Sequence, residues 1–224
     1  MTALAACEPQ LSCYTTNLVA YLEATDPGIR RRFGHAVRLA VRTDLPAGHA
    51  AFSHHERVDA GPDGRGLGYR GAPDWERARA GLLTELEAEG QVLVAGNTRY
   101  LPWSPAAGQA DAPHWLLLRG RKGDRWLLAD QFAALTPYGE QEPFLGWVGE
   151  EELARALTPV PEPPAEVAAR DGLALGLAVP VPPAGQYRWL RRMPNGHSLV
   201  TQSATKAFRA RSKPASCSML CWIS

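Results

Sequence analysis

The chain has 224 residues, of which 45% are hydrophobic and 21% charged, with a formal net charge of +1. These values are typical of a globular protein with a well-buried core, and the near-neutral charge argues against a surface dedicated to nucleic acid or membrane. No apolar stretch approaches the length of about 18 residues that marks a membrane span, and the N-terminus lacks the basic start of a signal peptide. We therefore expect a cytoplasmic protein with no nucleic-acid or membrane partner.

The first part of the chain predicts two helices and three strands. Two segments have apolar residues at helical spacing and end in glycine-containing stop signals, and helices are expected there, over 13–24 and 73–89. Apolar runs with strand character occupy 35–42, 50–58 and 91–96. The segment 61–71 contains five glycines and is expected to be a loop.

The next part predicts a sheet. After a long loop over 97–113, two apolar runs at 114–120 and 125–132 flank a turn and form a hairpin. A short strand over 146–148 and a helix over 150–157 follow. Because the helix comes first and the strands then follow one another, the expected fold class is α+β, with an N-terminal helix packed on an antiparallel sheet.

Composition divides the chain near residue 158. The predicted catalytic domain covers 1–158, and the segment 159–200 is rich in proline, which indicates a linker that carries one short helix. The remaining residues, 201–224, are basic with few apolar positions, so a poorly ordered tail is expected.

No cofactor or metal site is predicted. The four cysteines are Cys7, Cys13, Cys217 and Cys221, and the spacing within each pair differs from the two intervening residues typical of zinc ligands. The glycine-rich segment 61–71 lacks the Lys-Ser/Thr pair of a phosphate-binding loop. In a reducing compartment the cysteines are expected to be free thiols.

Cys13 is the candidate nucleophile. A thiol attacks as thiolate, and the positive end of a helix dipole lowers its pKa from about 8.5. Cys13 opens the first predicted helix behind Ser12, a suitable N-cap, and the main-chain N–H groups there can also receive an oxyanion. Gln10 is a candidate second oxyanion donor. The alternative is that Cys13 is a small buried hydrophobic residue.

His114 and Asp130 are the candidate base and orienting residue. His114 opens a predicted strand directly after Pro113, a position that faces a cleft. If the hairpin turns through a three-residue loop at 121–123, His114 lies directly opposite Asp130, with Cβ atoms about 4.5–5.5 Å apart. A two-residue loop at 122–123 instead places Gln131 opposite His114, which makes Gln131 the reserve orienting residue.

A cysteine followed by a strand-opening histidine and then an aspartate is the chain order of papain-like cysteine enzymes. Three segments resemble the N-terminal domain of the butirosin-biosynthesis acyltransferase family, which is related to bacteriocin-leader peptidases: 10–18 (QLSCYTTNL), 112–118 (APHWLLL) and 126–132 (WLLADQF). The likeness spans about residues 8 to 158. The leader peptidases place their oxyanion glutamine further ahead of the cysteine than Gln10 stands here.

The resemblance implies a papain-like fold and an acyl transfer reaction of secondary metabolite biosynthesis. Cys13 would take an acyl group from an acyl carrier protein or another acyl thioester, His114 would move protons, and Asp130 would orient His114. A small-molecule acceptor would then release the product. Two alternatives remain open: a cysteine peptidase or amidase with the same triad, and a non-catalytic binding protein on this fold.

Overall fold

A computed structural model describes residues 12–194, with the exception of 46, 47, 49, 62 and 177. The helices in these residues are α1 (Cys13–Glu23), α2 (Ile29–Ala36), α3 (Trp75–Glu89), α4 (Glu150–Ala156) and α5 (Ala165–Leu173), with a 3-10 helix at Thr98–Tyr100. The strands are β1 (Val37–Arg42), β2 (Ala51–His55), β3 (Arg65–Ala72), β4 (Val92–Asn97), β5 (Pro113–Lys122), β6 (Arg125–Asp130), β7 (Ala134–Thr136), β8 (Gly139–Gln141), β9 (Phe144–Gly149) and β10 (Tyr187–Pro194). None of the helices in this part of the chain combines the length and the hydropathy that crossing a bilayer requires.

Six strands form one sheet in the order β3-β10-β4-β5-β6-β9. Every neighbouring pair in this sheet is antiparallel. Strands β1 and β2 form a separate hairpin, as do β7 and β8. The expected α+β class and antiparallel sheet are therefore confirmed.

Helices cover both faces of the sheet. Side chains alternate across a strand, so Leu117 packs in the cluster that contains α1, whereas Leu116 and Leu118 pack in the cluster that contains α3 and α4. All three are fully buried. This explains why β5 carries a continuous apolar run rather than an alternating one, and it fixes α1 against the middle of the sheet.

Local sequence signals determine where α1 and α3 begin and end. The Ser12 side chain accepts a hydrogen bond from the Thr15 main-chain N–H at 3.2 Å, and Asp74 caps α3 in the same way. Gly90 ends α3 in the left-handed conformation, with φ at 73°, which glycine adopts without strain. Both predicted helices are confirmed, and Cys13 is the first residue of α1.

The prediction of a glycine-rich loop over 61–71 is wrong for the second half of that segment. Residues from Arg65 onwards form β3, which pairs along its whole length with β10. A Cβ atom on Gly68 would lie 2.9 Å from the Met193 methyl carbon, so glycine permits close approach of a neighbouring side chain. The glycines that suggested a loop therefore belong to a strand whose partner is distant in sequence.

The segment predicted as a linker with one short helix, 159–200, contains that helix as α5. It also contributes β10, which was not predicted and lies between β3 and β4 inside the main sheet. Asp171 of α5 and Leu190 of β10 are buried. The predicted tail over 201–224 lies outside the described residues.

A chain that ends after residue 158 is expected not to fold. Such a truncation removes β10 from the interior of the sheet and leaves β3 without a partner. Burial of Leu190 alone contributes about 1.5–3 kcal/mol, against a total free energy of unfolding of about 5–15 kcal/mol. Thermal unfolding followed by circular dichroism checks this. A chain that ends after residue 194 is the control, and a cooperative transition in the shorter chain would contradict the role given to β10.

Candidate active site

Cys13 is a buried free thiol at the positive end of a helix. It is the first residue of α1, directly after the Ser12 cap. The first turn of α1 contains no acidic residue, so no carboxylate there opposes the positive potential of the helix N-terminus. The position therefore favours a thiolate, as the sequence predicted for a nucleophile.

His114 lies in β5 directly after Pro113, and its side chain is buried. Its Nε2 atom is 2.7 Å from Oδ2 of Asp130, the last residue of β6. The Phe132 ring meets the imidazole edge to face, with centroids 5.7 Å apart. The histidine is thus held on one side by a carboxylate and on another by an aromatic ring.

Within the described part of the chain, every group bonded to the Asp130 carboxyl group is a hydrogen-bond donor. Oδ2 accepts from His114 and, at 3.0 Å, from the Trp103 indole N–H, while Oδ1 accepts from the Asn17 amide at 3.2 Å and the Phe132 main-chain N–H at 3.0 Å. Burial raises the pKa of Asp130, but the His114 charge and these bonds outweigh burial and lower it overall. The carboxylate is therefore ionised, and His114 carries its proton on Nε2.

The remaining imidazole nitrogen, Nδ1, is left for the Cys13 thiol. Burial raises the pKa of the thiol, but the charge of His114 and a hydrogen bond with it, followed by the charge of Arg170, bring the pKa below its ordinary value. Burial lowers the pKa of His114, yet the charges of Cys13 and Asp130 outweigh it and raise the pKa to about 10. Both shifts favour the charged forms, a thiolate on Cys13 and an imidazolium on His114.

The turn of the β5–β6 hairpin differs from the predicted loop at 121–123. Lys122 pairs with Arg125, so the turn consists of two residues, Gly123 and Asp124, with φ of Gly123 at 63°. This is one residue further along the chain than the alternative two-residue loop. Both predicted registers are wrong at the turn, because the favoured two-residue hairpin turns need a positive φ at their first residue, and Gly123 takes that position rather than Lys122.

An irregularity at Arg119 shifts the pairing again, after which Leu117 lies opposite Ala129. Asp130 is consequently two residues away from the position opposite His114, and the predicted direct pairing is wrong. Two residues is one full side-chain period, so both side chains still project from the same face. Their contact is diagonal, over a Cα separation that long side chains bridge.

Two residues that the sequence analysis did not single out hold the carboxylate. Asn17 and Trp103 both donate to Asp130, and the Trp103 ring stacks on Phe144 of β9 with centroids 3.9 Å apart. The reserve residue Gln131 contributes its main-chain N–H to Asn17 at 3.0 Å, while Asp130 takes the contact with His114. Gln10, the candidate oxyanion donor, lies outside the described residues.

A buried charged network lies behind Cys13 and belongs to the segment predicted as a linker. The Tyr14 hydroxyl donates to Asp171 of α5, which also accepts from Arg188 of β10 at 2.9 Å. The Arg170 guanidinium lies 4.9 Å from the centre of the Tyr14 ring. Because Tyr14 follows Cys13 directly, this network places a positive charge near the thiol, and no local signal in the sequence pointed to it.

No protein-family model matches the chain, and no curated protein matches it either. A thiol whose pKa is lowered by a neighbouring histidine, and a carboxylate bonded to that histidine, are the parts that nucleophilic catalysis by cysteine needs. Chemically, such a group of residues can attack a carbonyl carbon and transfer a proton to the leaving group.

Proposed function

We propose that the protein is a papain-like cysteine enzyme that transfers or releases acyl groups through a Cys13 acyl-enzyme. The observation that carries the proposal is the placement of Cys13 at the N-terminus of α1, where it interacts electrostatically with His114, together with the bond from His114 to Asp130. A helix that presents a cysteine to a histidine on an adjoining sheet is the arrangement that a papain-like fold requires. A purely structural buried cysteine would have its pKa raised by burial, whereas the pKa of Cys13 is lowered.

The reaction begins with attack by the Cys13 thiolate on the carbonyl carbon of a thioester. The carbonyl oxygen becomes an oxyanion, which the main-chain N–H groups at the start of α1 are positioned to stabilise. The tetrahedral intermediate collapses, the carrier thiol departs with a proton from the His114 imidazolium, and Cys13 remains acylated. His114 then accepts a proton from an amine, hydroxyl or water that attacks the acyl-enzyme, and the Cys13 thiolate is regenerated.

The proposed donor is an acyl carrier protein or another acyl thioester, and the proposed acceptor is a small molecule. The likeness of segments 10–18, 112–118 and 126–132 to the butirosin-type acyltransferases supports this choice. The proposal therefore places the enzyme in the cytoplasm, in secondary metabolite biosynthesis. A peptidase or amidase would use the same Cys13, His114 and Asp130 on an amide, so the leaving group is what distinguishes the two.

The test is to trap the acyl-enzyme. The full chain is incubated with a short-chain acyl thioester on an acyl carrier protein or, separately, with a peptide carrying the same acyl group as an amide. Intact-mass spectrometry should record one added acyl group with the thioester and none in Cys13→Ala, which retains the helix. Acylation by the peptide alone would identify a peptidase. An adduct that persists in Cys13→Ala would overturn the assignment of the nucleophile, and absence of both adducts would favour a binding protein.

A further inference from the structure

The side chain of Asn17 joins all three parts of the candidate active site. Asn17 lies in α1, one turn after Cys13, and is completely buried. Its Nδ2 group is within hydrogen-bond distance of the Cys13 carbonyl at 3.1 Å, the Trp115 carbonyl at 2.9 Å and Oδ1 of Asp130 at 3.2 Å. Its Oδ1 accepts the Gln131 main-chain N–H at 3.0 Å. One amide therefore reaches the main chain of the nucleophile, the residue after His114, and the orienting carboxylate.

The surroundings allow only one orientation of this amide. The three groups around Nδ2 are acceptors, whereas the group at Oδ1 is a donor, so rotating the amide by 180° would create four unfavourable contacts. A buried amide without partners costs about 1–3 kcal/mol. Asparagine is also a weak helix former in a helix interior. The position is therefore unfavourable for asparagine unless its hydrogen bonds are formed.

The contact with Asp130 is the one that bears on chemistry. The Asp130 carboxylate must keep Oδ2 directed at His114, and this orientation depends on what holds Oδ1. Asn17 and the Phe132 main-chain N–H are the donors at Oδ1. The Phe132 bond is local, two residues along the chain, whereas Asn17 ties the carboxylate to the helix that carries Cys13. Asn17 thus fixes the thiol and the carboxylate relative to each other.

We infer that Asn17 is a positioning residue, which holds Asp130, and through it His114, in register with Cys13. The inference rests on the Cys13–His114 pair of the proposed function, but it holds for any acyl substrate. It assigns Asn17 no contact with the substrate. Loss of the amide should loosen His114, and Cys13 would then lose part of the charge and hydrogen bonding that keep it a thiolate.

The test compares the pH dependence of Cys13 alkylation by iodoacetamide in full-length variants. Peptide mass spectrometry measures the alkylation of Cys13 separately from that of the other cysteines. In Asn17→Ala we expect the half-reaction pH of Cys13 to rise by about one unit. At a pH below the thiol pKa of both the wild type and the variant, alkylation should then be about tenfold slower in the variant. Asn17→Ser serves as a second variant, because serine can return a hydroxyl bond to the carbonyl of Cys13 four residues earlier and so keeps that carbonyl bonded, but it is too short to reach Asp130.

Gln91→Ala is the matched control. Gln91 is another buried amide that bonds to a carbonyl of α1, that of Tyr21, at 2.5 Å, but Tyr21 lies two turns away from Cys13. Gln91→Ala and Asn17→Ala should both lower the melting temperature, whereas the half-reaction pH of Cys13 should change only when Asn17 is replaced. If Asn17→Ser folds and alkylates as the wild type does, Asn17 is merely structural. If wild-type Cys13 itself reacts with a midpoint near 8.5, the proposed function fails, and the positioning role fails with it.

Discussion

Replacing His114 with glutamine should raise the pKa of Cys13 above its ordinary value and abolish formation of the proposed acyl-enzyme at neutral pH. In the wild type, His114 opposes burial through its charge and its hydrogen bond to the thiol. Without the imidazolium, burial again dominates and raises the pKa of the thiol. The thiolate is present above the pKa of the thiol and disappears below it, so the reactivity of Cys13 at neutral pH should fall. The loss of proton transfer adds a reduction of about 10²–10⁴-fold in rate.

The measurement is the rate of Cys13 alkylation by iodoacetamide between pH 5 and 10, together with acyl-enzyme formation at pH 7. His55→Gln is the control, because His55 is also buried and bonds a main-chain carbonyl, that of Glu56, at 2.6 Å. Its removal should affect stability and leave the Cys13 profile unchanged. An unchanged pH profile in His114→Gln would show that the thiolate does not depend on the imidazolium, and the proposed Cys13–His114 pair would be wrong.

Replacing Asp130 with asparagine should lower the pKa of His114 and reduce acyl transfer by about 10²–10⁴-fold. All four groups around the carboxylate are donors, so an amide NH₂ must face at least one of them. The negative charge that helps to raise the pKa of His114 to about 10 is also lost. The imidazolium would then deprotonate at lower pH, and the upper limit of the pH range of activity should fall below 10.

The pH profile of acyl-enzyme formation and the ring signals of His114 in ¹⁵N-histidine NMR measure this shift. Asp59→Asn is the control, since Asp59 is a completely buried carboxylate that accepts from Arg57 at 2.7 Å and from the Leu67 main-chain N–H at 2.5 Å. This variant should be destabilised without any change in the His114 titration. If His114 in Asp130→Asn still titrates near 10, the carboxylate does not orient or charge the histidine.

The hairpin between β5 and β6 was only partly predictable from the sequence. Its two strands and the residues His114 and Asp130 were predicted, but its turn and its register were not. The two-residue turn by itself would place the two side chains on opposite faces, and the irregularity at Arg119 returns them to the same face. His114 and Asp130 therefore make the predicted contact, but through a different strand register. No residue type in the sequence predicted the irregularity at Arg119.

The sequence by itself determined the local features of this protein. A capping serine before Cys13, helical spacing after it and an apolar run behind Pro113 define the positions of the candidate nucleophile and base, because caps and periodicity act over a few residues. The same reasoning failed for β3 and β10, which are poor in local signals and are held by each other.

Only the tertiary structure decided what surrounds the thiol. Asn17, Trp103 and Arg170 come from α1, a loop and α5, which lie far apart along the chain, and the fold brings them to Cys13 or to Asp130. Burial is likewise a property of the whole fold, and it sets how strongly each charge acts on the next. The sequence thus indicated a candidate nucleophile and a candidate base, while packing supplied the charges and donors that shift their pKa values.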